Sequence, residues 1–364
     1  MKLLKKTVLI GTTLLLGSFL LAACGNTNKE ANNADKTHEV TDTLGNKVTV
    51  PAKPKRIIAS YLEDYLVALG EKPVAQWTVG QGSIQDYLAK ELKDVPTISY
   101  DLPYEAVLKF EPDLLLISSS ALVEGGKYKE YSKIAPTYVV KNGENVTWRD
   151  QLEDIATVLD KKEQAKKVLE DYDTLTKGVQ EDLGKKDAGK SAAVLWVTNN
   201  QVFMVSDNRS SGTVLYQDLG LQVPKLVEEI SKNATADWNQ VSLEKLAELD
   251  ADHIFLVNSD ESAPLFQEAI WKNLPAVKNN QVHTYDKKSS WLYNGPIANT
   301  QIVEDVKLIN ANGAEQWSAR QLGKLLGYSE YRHFIPVLTR AKEACLNSGH
   351  TIDDHFEEDR KSVV

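Results

Sequence analysis

Between residues 160 and 183 the apolar side chains fall at Ala165, Val168, Leu169, Tyr172, Leu175, Val179 and Leu183. Spacings of three and four place them on one stripe of a helix whose other faces are charged. Glu163 stands four residues before Lys167, the favoured order for an ion pair along a helix. Gly184 offers a stop, and no proline occurs between Pro136 and Pro224. Only Gly178 opposes the helix, at about 1 kcal/mol. At about 1.5 Å per residue such a helix is roughly 35 Å long, the width of a small domain.

The two sides of this helix repeat each other. Upstream, Glu105 opens an amphipathic turn, and Asp113 eight residues later introduces Leu114-Leu115-Leu116-Ile117. Downstream, Glu244 opens a similar turn, and Asp252 eight residues later introduces His253-Ile254-Phe255-Leu256-Val257. A repeat of this size predicts two similar lobes with the helix as a strut between them.

The remaining pattern alternates short apolar runs with helical ones. A hairpin is predicted over 38–50, strands over 56–59, 73–76, 95–99, 114–117 and 136–140, and a helix over 62–69. Beyond the strut, strands are predicted over 192–197, 201–205, 253–257 and 282–285, the first two joined through Asn199-Asn200. Helices are predicted over 212–219 and 295–306. Alternation of this kind makes an α/β protein with parallel sheets covered on both faces. Two open sheets would face each other across a cleft, with ligand at the carboxyl ends of the strands.

Composition adds an address. The 364 residues suffice for two cored domains, and 42% hydrophobic with 26% charged residues is ordinary for a globular protein. A net charge of −9 argues against nucleic acid as a partner. Lys2, Lys5 and Lys6 precede an apolar run over 7–20 that is too short to span a membrane. The following Leu21-Ala22-Ala23-Cys24-Gly25 resembles the lipobox of bacterial lipoproteins, which implies lipidation at Cys24. The only other cysteine is Cys345, so there is no disulfide framework. Residues 25–36 are polar and read as a tether.

Lipobox, tether, lobe, single long helix and second lobe together resemble the substrate-binding lipoproteins of iron–siderophore ABC importers. The resemblance covers about residues 21–306. Its most specific pieces are YEAVLKFEPDLLLIS, NRSSGTVLYQDLGL, and WKNLPAVKNNQVHTYD followed by WLYNGPIANTQIVEDV. It implies two Rossmann-like lobes joined by one long helix, the helical-backbone type of periplasmic binding protein. The implied divisions are a signal peptide over 1–23, a tether over 24–37, lobes over 38–159 and 185–306, and the inter-lobe helix over 160–184. It implies a monomer, with no enzymatic activity and no resident cofactor, on the extracytoplasmic face of a Gram-positive cell membrane. The ligand would be a ferric siderophore, of hydroxamate type by its aromatics and lone arginine, and the partner an ABC permease dimer. Ferric catecholate, haem and cobalamin are the alternatives within the class.

Glu105 and Glu244 match the two glutamates with which this family docks to its permease, and both lie where a helix dipole favours a carboxylate. Tyr61, Trp77, Trp196, Arg209, Trp291 and Tyr293 fall at strand ends or in loops and are predicted to face the cleft. A ferric siderophore brings its own oxygen ligands to iron. Such a site needs aromatic walls and a planar donor such as Arg209, and no protein ligand to the metal. His38, His253 and His283, the only histidines before residue 307, are read as structural or exposed, since a metal site would need several converging ligands. No nucleophile frame or phosphate loop stands out.

From Lys307 the text changes. Residues 307–358 closely resemble the start of the bacterial DNA-damage-inducible protein D, and predict a short α-rich tail over 307–364. Ser318 with Gln321 makes a capping box, and Gly327 ends a short helix. The tail holds eight basic and eight acidic residues, so the whole net charge lies in residues 1–306. A neutral tail has no electrostatic footprint for DNA, so it reads as a passive fusion. The contrasting hypothesis is a DNA-damage-related regulator that works through the tail.

Overall fold

The structure, a computed structural model, describes residues 36–80, 82–186, 188–309 and stretches between 322 and 356. The signal peptide, Cys24 and the capping box at Ser318 and Gln321 lie outside the described residues. The chain opens with an antiparallel hairpin, β1 (Thr37–Thr41) and β2 (Lys47–Pro51). The first lobe then runs β3 (Ile57–Ala59), α1 (Glu63–Ala68), β4 (Ala75–Trp77), β5 (Thr97–Ile98), α2 (Tyr104–Lys109), β6 (Leu114–Ile117), α3 (Lys127–Ile134), β7 (Thr137–Val139) and α4 (Trp148–Val158). Helix α5 (Lys162–Lys186) leads to β8 (Ala192–Thr198), β9 (Gln201–Val205), α6 (Ser210–Gly212) and a π-type turn over Thr213–Asp218. There follow α7 (Lys225–Ser231), β10 (Trp238–Val241), α8 (Leu243–Leu246), β11 (His253–Asn258), α9 (Ala269–Asn273), α10 (Pro275–Lys278), β12 (Val282–Asp286) and α11 (Pro296–Lys307). The tail contributes α12 (Tyr331–Asn347).

The two sheets share one strand order. The first is β5-β4-β3-β6-β7, parallel throughout. The second is β10-β9-β8-β11-β12. Here β8, β11 and β12 are parallel, while β9 runs antiparallel to both of its neighbours, β8 and β10. The reversal is the hairpin expected from the sequence through Asn199-Asn200. Asn199 and Asn200 both take positive φ, 49° and 56°, the conformation of a two-residue hairpin turn, so the chain doubles back at once instead of crossing over.

The repeated aspartates explain why the repeat is readable. Asp113 accepts hydrogen bonds from the backbone N–H groups of Lys55 (2.7 Å) and Arg56 (2.9 Å), just before β3. Asp252 accepts from the Ser191 N–H (2.9 Å), just before β8, and from the Ser191 hydroxyl. Each carboxylate satisfies backbone donors at the edge of its central strand pair, where the ladder supplies no partner.

Every apolar residue of the predicted stripe on α5 packs into one hydrophobic core, with Ala165, Tyr172 and Val179 fully buried. That core is continuous across the molecule. It holds Leu62, Tyr65 and Leu66 of the first lobe, Val194 and Phe255 of the second, and Ile302, Val303 and Val306 of α11. The pair expected between Glu163 and Lys167 is not formed; Lys167 reaches Asp171 at 2.7 Å instead. The Tyr172 hydroxyl donates to Asp218 at 2.7 Å, which ties the strut to the second lobe. Its ring meets Trp148 of α4 edge-on at 5.0 Å, which ties it to the first.

A candidate ligand trough between the lobes

The residues following β3 build one side of the trough. Tyr61 adopts φ 59°, a conformation strained for a residue with a side chain, and the residue is 37% exposed. The Tyr61 ring lies 5.4 Å edge-on from Trp77, at the end of β4, and 6.2 Å from Tyr293 of the other lobe. The Tyr87 ring lies 4.9 Å from Tyr293, tilted by 43°. The Tyr293 hydroxyl donates to the carbonyl of Ile84 at 3.0 Å, so this cluster already bridges the lobes.

The opposite wall is a row of aromatics across the second sheet. Trp196 on β8 lies 5.4 Å from Phe203 on β9 and 5.9 Å from Trp238 on β10. Arg209 stands beside them with a guanidinium nitrogen 3.9 Å from the Asp237 carboxylate. That distance is too long for a hydrogen bond, so the planar donor fork is not spent on Asp237. Burial first, and then the neighbouring Tyr293 and Asp237, hold the Tyr61 hydroxyl protonated. The two indole N–H groups are already used: Trp77 donates to the Tyr100 carbonyl and Trp196 to the Ser259 hydroxyl, both at 3.0 Å. Each tryptophan therefore offers a ring face.

The loop carrying Arg209 is fixed by close approach. A Cβ on Gly212 would stand 1.9 Å from the carbonyl oxygen of Ser206, so no larger residue fits. Ser210 donates from its hydroxyl to the Tyr293 carbonyl at 3.2 Å, which joins this loop to the one containing Tyr293.

Of the six residues selected from the sequence, Tyr61, Trp77 and Tyr293 share ring contacts, whereas Trp196 lies with Phe203 and Trp238, and Arg209 lies beside Asp237. Trp291 is the correction. It is fully buried, stacked on Phe255 at 4.5 Å and near Tyr285 at 5.0 Å, with its N–H donating to Asp305 at 2.8 Å. The short turn over Ser290–Leu292 points it into the shared core instead of the trough. His253 and His283 sit side by side on β11 and β12, 3.3 Å apart, and burial pushes His283 down to about 4. A recess of about 430 Å³ lies on the other side of β11 from Phe255, lined by Leu256, Phe266, Trp271 and Thr284 among others, with no charged side chain. It is separate from the trough.

Two acidic residues beneath the trough were missed. Glu63 and Asp64 open α1 and are 1% and 0% exposed. Glu63 accepts from the Trp77 N–H at 2.6 Å, holding the end of β4, and its other oxygen is buried without a partner. Asp64 accepts from the Tyr87 hydroxyl at 2.8 Å and from the N–H groups of Ile297 and Ala298, both at 2.9 Å. Burial pushes Glu63 up to about 8 and Asp64 up to about 6, against the lowering effect of these hydrogen bonds. Tyr87 and Asp237 were also missed. Adjacent acids in a short helix normally mark its wet face, so helical spacing alone gave no warning.

Glu105 and Glu244 are both exposed, each in the first turn of its helix, α2 and α8. The Glu244 carboxylate is held below its usual range by its own backbone N–H and the Ser242 hydroxyl. Exposed apolar side chains flank both: Tyr104 and Leu108 beside Glu105, and Leu243 beside Glu244.

The buried acids set a sign for pH. Unfolded Glu63 would titrate near its ordinary value of 4.5, so between about pH 4.5 and 8 the folded chain holds a proton that the unfolded one has lost. Asp64 acts likewise between about 3.8 and 6. Their contribution is fully present below the unfolded values and is lost as pH rises through the folded ones. Glu63→Gln keeps the acceptor for Trp77 and removes the titration. Urea unfolding at pH 5, 6.5 and 8 should therefore show a smaller loss of stability with rising pH in the variant; parallel curves would exclude a protonated Glu63.

Known proteins share this architecture. The chain is 26% identical over 332 residues to the iron(3+)-hydroxamate-binding protein YxeB of Bacillus subtilis, covering 86% of this chain and 99% of that one. It is 29% identical over 280 residues to the iron(3+)-hydroxamate-binding protein FhuD of the same organism, covering 73% and 86%. Among solved structures, Staphylococcus aureus SirA complexed with staphyloferrin B superposes with a TM-score of 0.60 at 28% identity, over 74% of this chain and 97% of that one. The tail is 91% identical over 58 residues to the DNA damage-inducible protein D of Escherichia coli, 16% of this chain but only 21% of that protein. The family model described as periplasmic binding protein matches residues 61–289, and the chain belongs to that family.

Proposed function

We propose that this chain is a lipid-anchored receptor that binds a ferric siderophore, of hydroxamate type, between its lobes and presents it to an ABC permease. The observation that carries this reading is a pair of aromatic groups, Tyr61, Trp77 and Tyr293 in one and Trp196 and Trp238 in the other, joined where Ser210, next to Arg209, meets the Tyr293 carbonyl. Aromatic faces suit the organic shell of a complex whose iron is already ligated. One guanidinium suits the oxygen atoms at its surface. The names of YxeB and FhuD support the hydroxamate class. Periplasmic binding proteins are transport components, and no reaction is assigned to this one. The tail covers a fifth of its relative, so no function of that protein is transferred here.

Quenching of intrinsic tryptophan fluorescence by ferrioxamine B, ferrichrome, ferric enterobactin, ferric staphyloferrin B, haemin and cyanocobalamin tests the class. The two hydroxamates should bind most tightly. Arg209→Ala should weaken them about 10- to 100-fold, the loss of a hydrogen bond to a charged donor, with little change in melting temperature. Tightest binding to another ligand would redirect the class, and an unchanged dissociation constant would remove Arg209 from the site.

Delivery rests on Glu105 and Glu244, exposed at matching places in the two lobes beside apolar side chains. Exposed charge pairs contribute only about 0–1 kcal/mol each, so the double variant is the informative one. Glu105→Ala with Glu244→Ala should leave siderophore affinity intact and reduce iron-55 uptake by cells; normal uptake would refute docking through them. Cys24→Ala should move the chain from the membrane fraction to the soluble one, and unchanged fractionation would refute the lipid anchor.

A further inference from the structure

We propose that Asp64 is a positioning residue: its carboxylate, held in one lobe, caps α11 of the other and thereby sets the geometry of the ligand trough. This rests on the ligand assignment above but uses residues outside the trough itself.

Helix α11 begins at Pro296, which has no N–H to offer. The next two amides, of Ile297 and Ala298, have no acceptor in the preceding chain. Both are satisfied by one carboxylate from more than 230 residues away, at 2.9 Å on each oxygen. A helix N-terminus favours a negative partner, and here the partner is wholly buried. The approach is closed on the other side as well. A Cβ on Gly295 would stand 2.7 Å from the Asp64 carboxyl carbon, so the two lobes meet at this distance only because residue 295 has no side chain.

The cap is wired to the wall. The oxygen of Asp64 that binds Ala298 also accepts from Tyr87, whose ring packs at a tilt against Tyr293. Tyr293 lies three residues before Pro296, so a shift of the α11 terminus shifts a trough residue. Glu63, one residue away, holds Trp77 on the same wall. Asp64 touches none of the groups proposed to meet ligand except through Tyr87.

A double-mutant cycle over Asp64→Ala and Gly295→Ala tests this. Three readouts are needed: far-UV circular dichroism, hydrogen exchange of the Ile297 and Ala298 amides, and ferrioxamine B affinity. Asp64→Ala should speed exchange of the two amides at least about tenfold and weaken ferrioxamine B about tenfold, with the secondary structure intact. Gly295→Ala should weaken binding in the same direction. The backbone at residue 295 disfavours any side chain, a cost that the single and double variants share. The cycle isolates the contact with Asp64, and the double variant should lose less than the product of the two singles. If Asp64→Ala does not fold, Asp64→Asn retains one acceptor and should give the same changes at smaller size. Faster exchange with unchanged affinity in a folded variant would overturn the proposal, as would an additive cycle. If the unsubstituted protein binds no ferric siderophore, the ligand assignment fails; the exchange cycle then still decides whether Asp64 holds α11.

Discussion

Two amides at the start of α11 need an acceptor, and among the described residues it is supplied by Asp64 of the other lobe. Much of the architecture follows from meeting that need. The Asp64 carboxylate must be buried to reach Ile297 and Ala298, so α1 turns its acidic first turn inward, and Gly295 must lack a side chain. Around this polar point the lobes share apolar packing, Leu62, Tyr65 and Leu66 of α1 lying in one core with Ile302 and Val306 of α11. Helix α5 is seated in the same core along its full apolar stripe. A packed core resists deformation more than a hinge loop does. The lobes are therefore held by a cap, a strut and a common core, with the trough walls mounted on either side.

That mounting bears on the chemistry. A ligand wall is useful in proportion to how little it must be ordered on binding. Here each ring has a local reason for its place: Trp77 is anchored by Glu63 and by its own N–H, Trp196 by Ser259, and Tyr293 by Ile84 and Tyr87. Arg209 is set by a loop that Gly212 allows to fold against Ser206. The result is a set of aromatic faces held in place, with the Arg209 guanidinium beside them in a long ion pair with Asp237.

The features legible in the sequence share a cause: each is written in a periodic or repeated pattern. The α5 stripe follows from spacing alone, and the paired segments around Asp113 and Asp252 repeat because two strand starts pose the same hydrogen-bonding problem. What was not legible depends on tertiary surroundings. Helix α4 and strand β10 were not picked out. Glu63 and Asp64 look solvated until the partner lobe is present, since their burial is compensated by amides from distant chain. Trp291 looks like a loop aromatic because its flanking residues are irregular, yet Phe255, Tyr285 and Asp305 enclose it. The hairpin through Asn199-Asn200 was visible, and it sets the reversed direction of β9.

Small-angle X-ray scattering of the protein with and without ferrioxamine B tests the central claim, that the lobes are locked in their relative position before ligand arrives. The account predicts superposable scattering curves. A fall of several ångströms in the radius of gyration on loading, as a hinged pair of lobes would give, would contradict it.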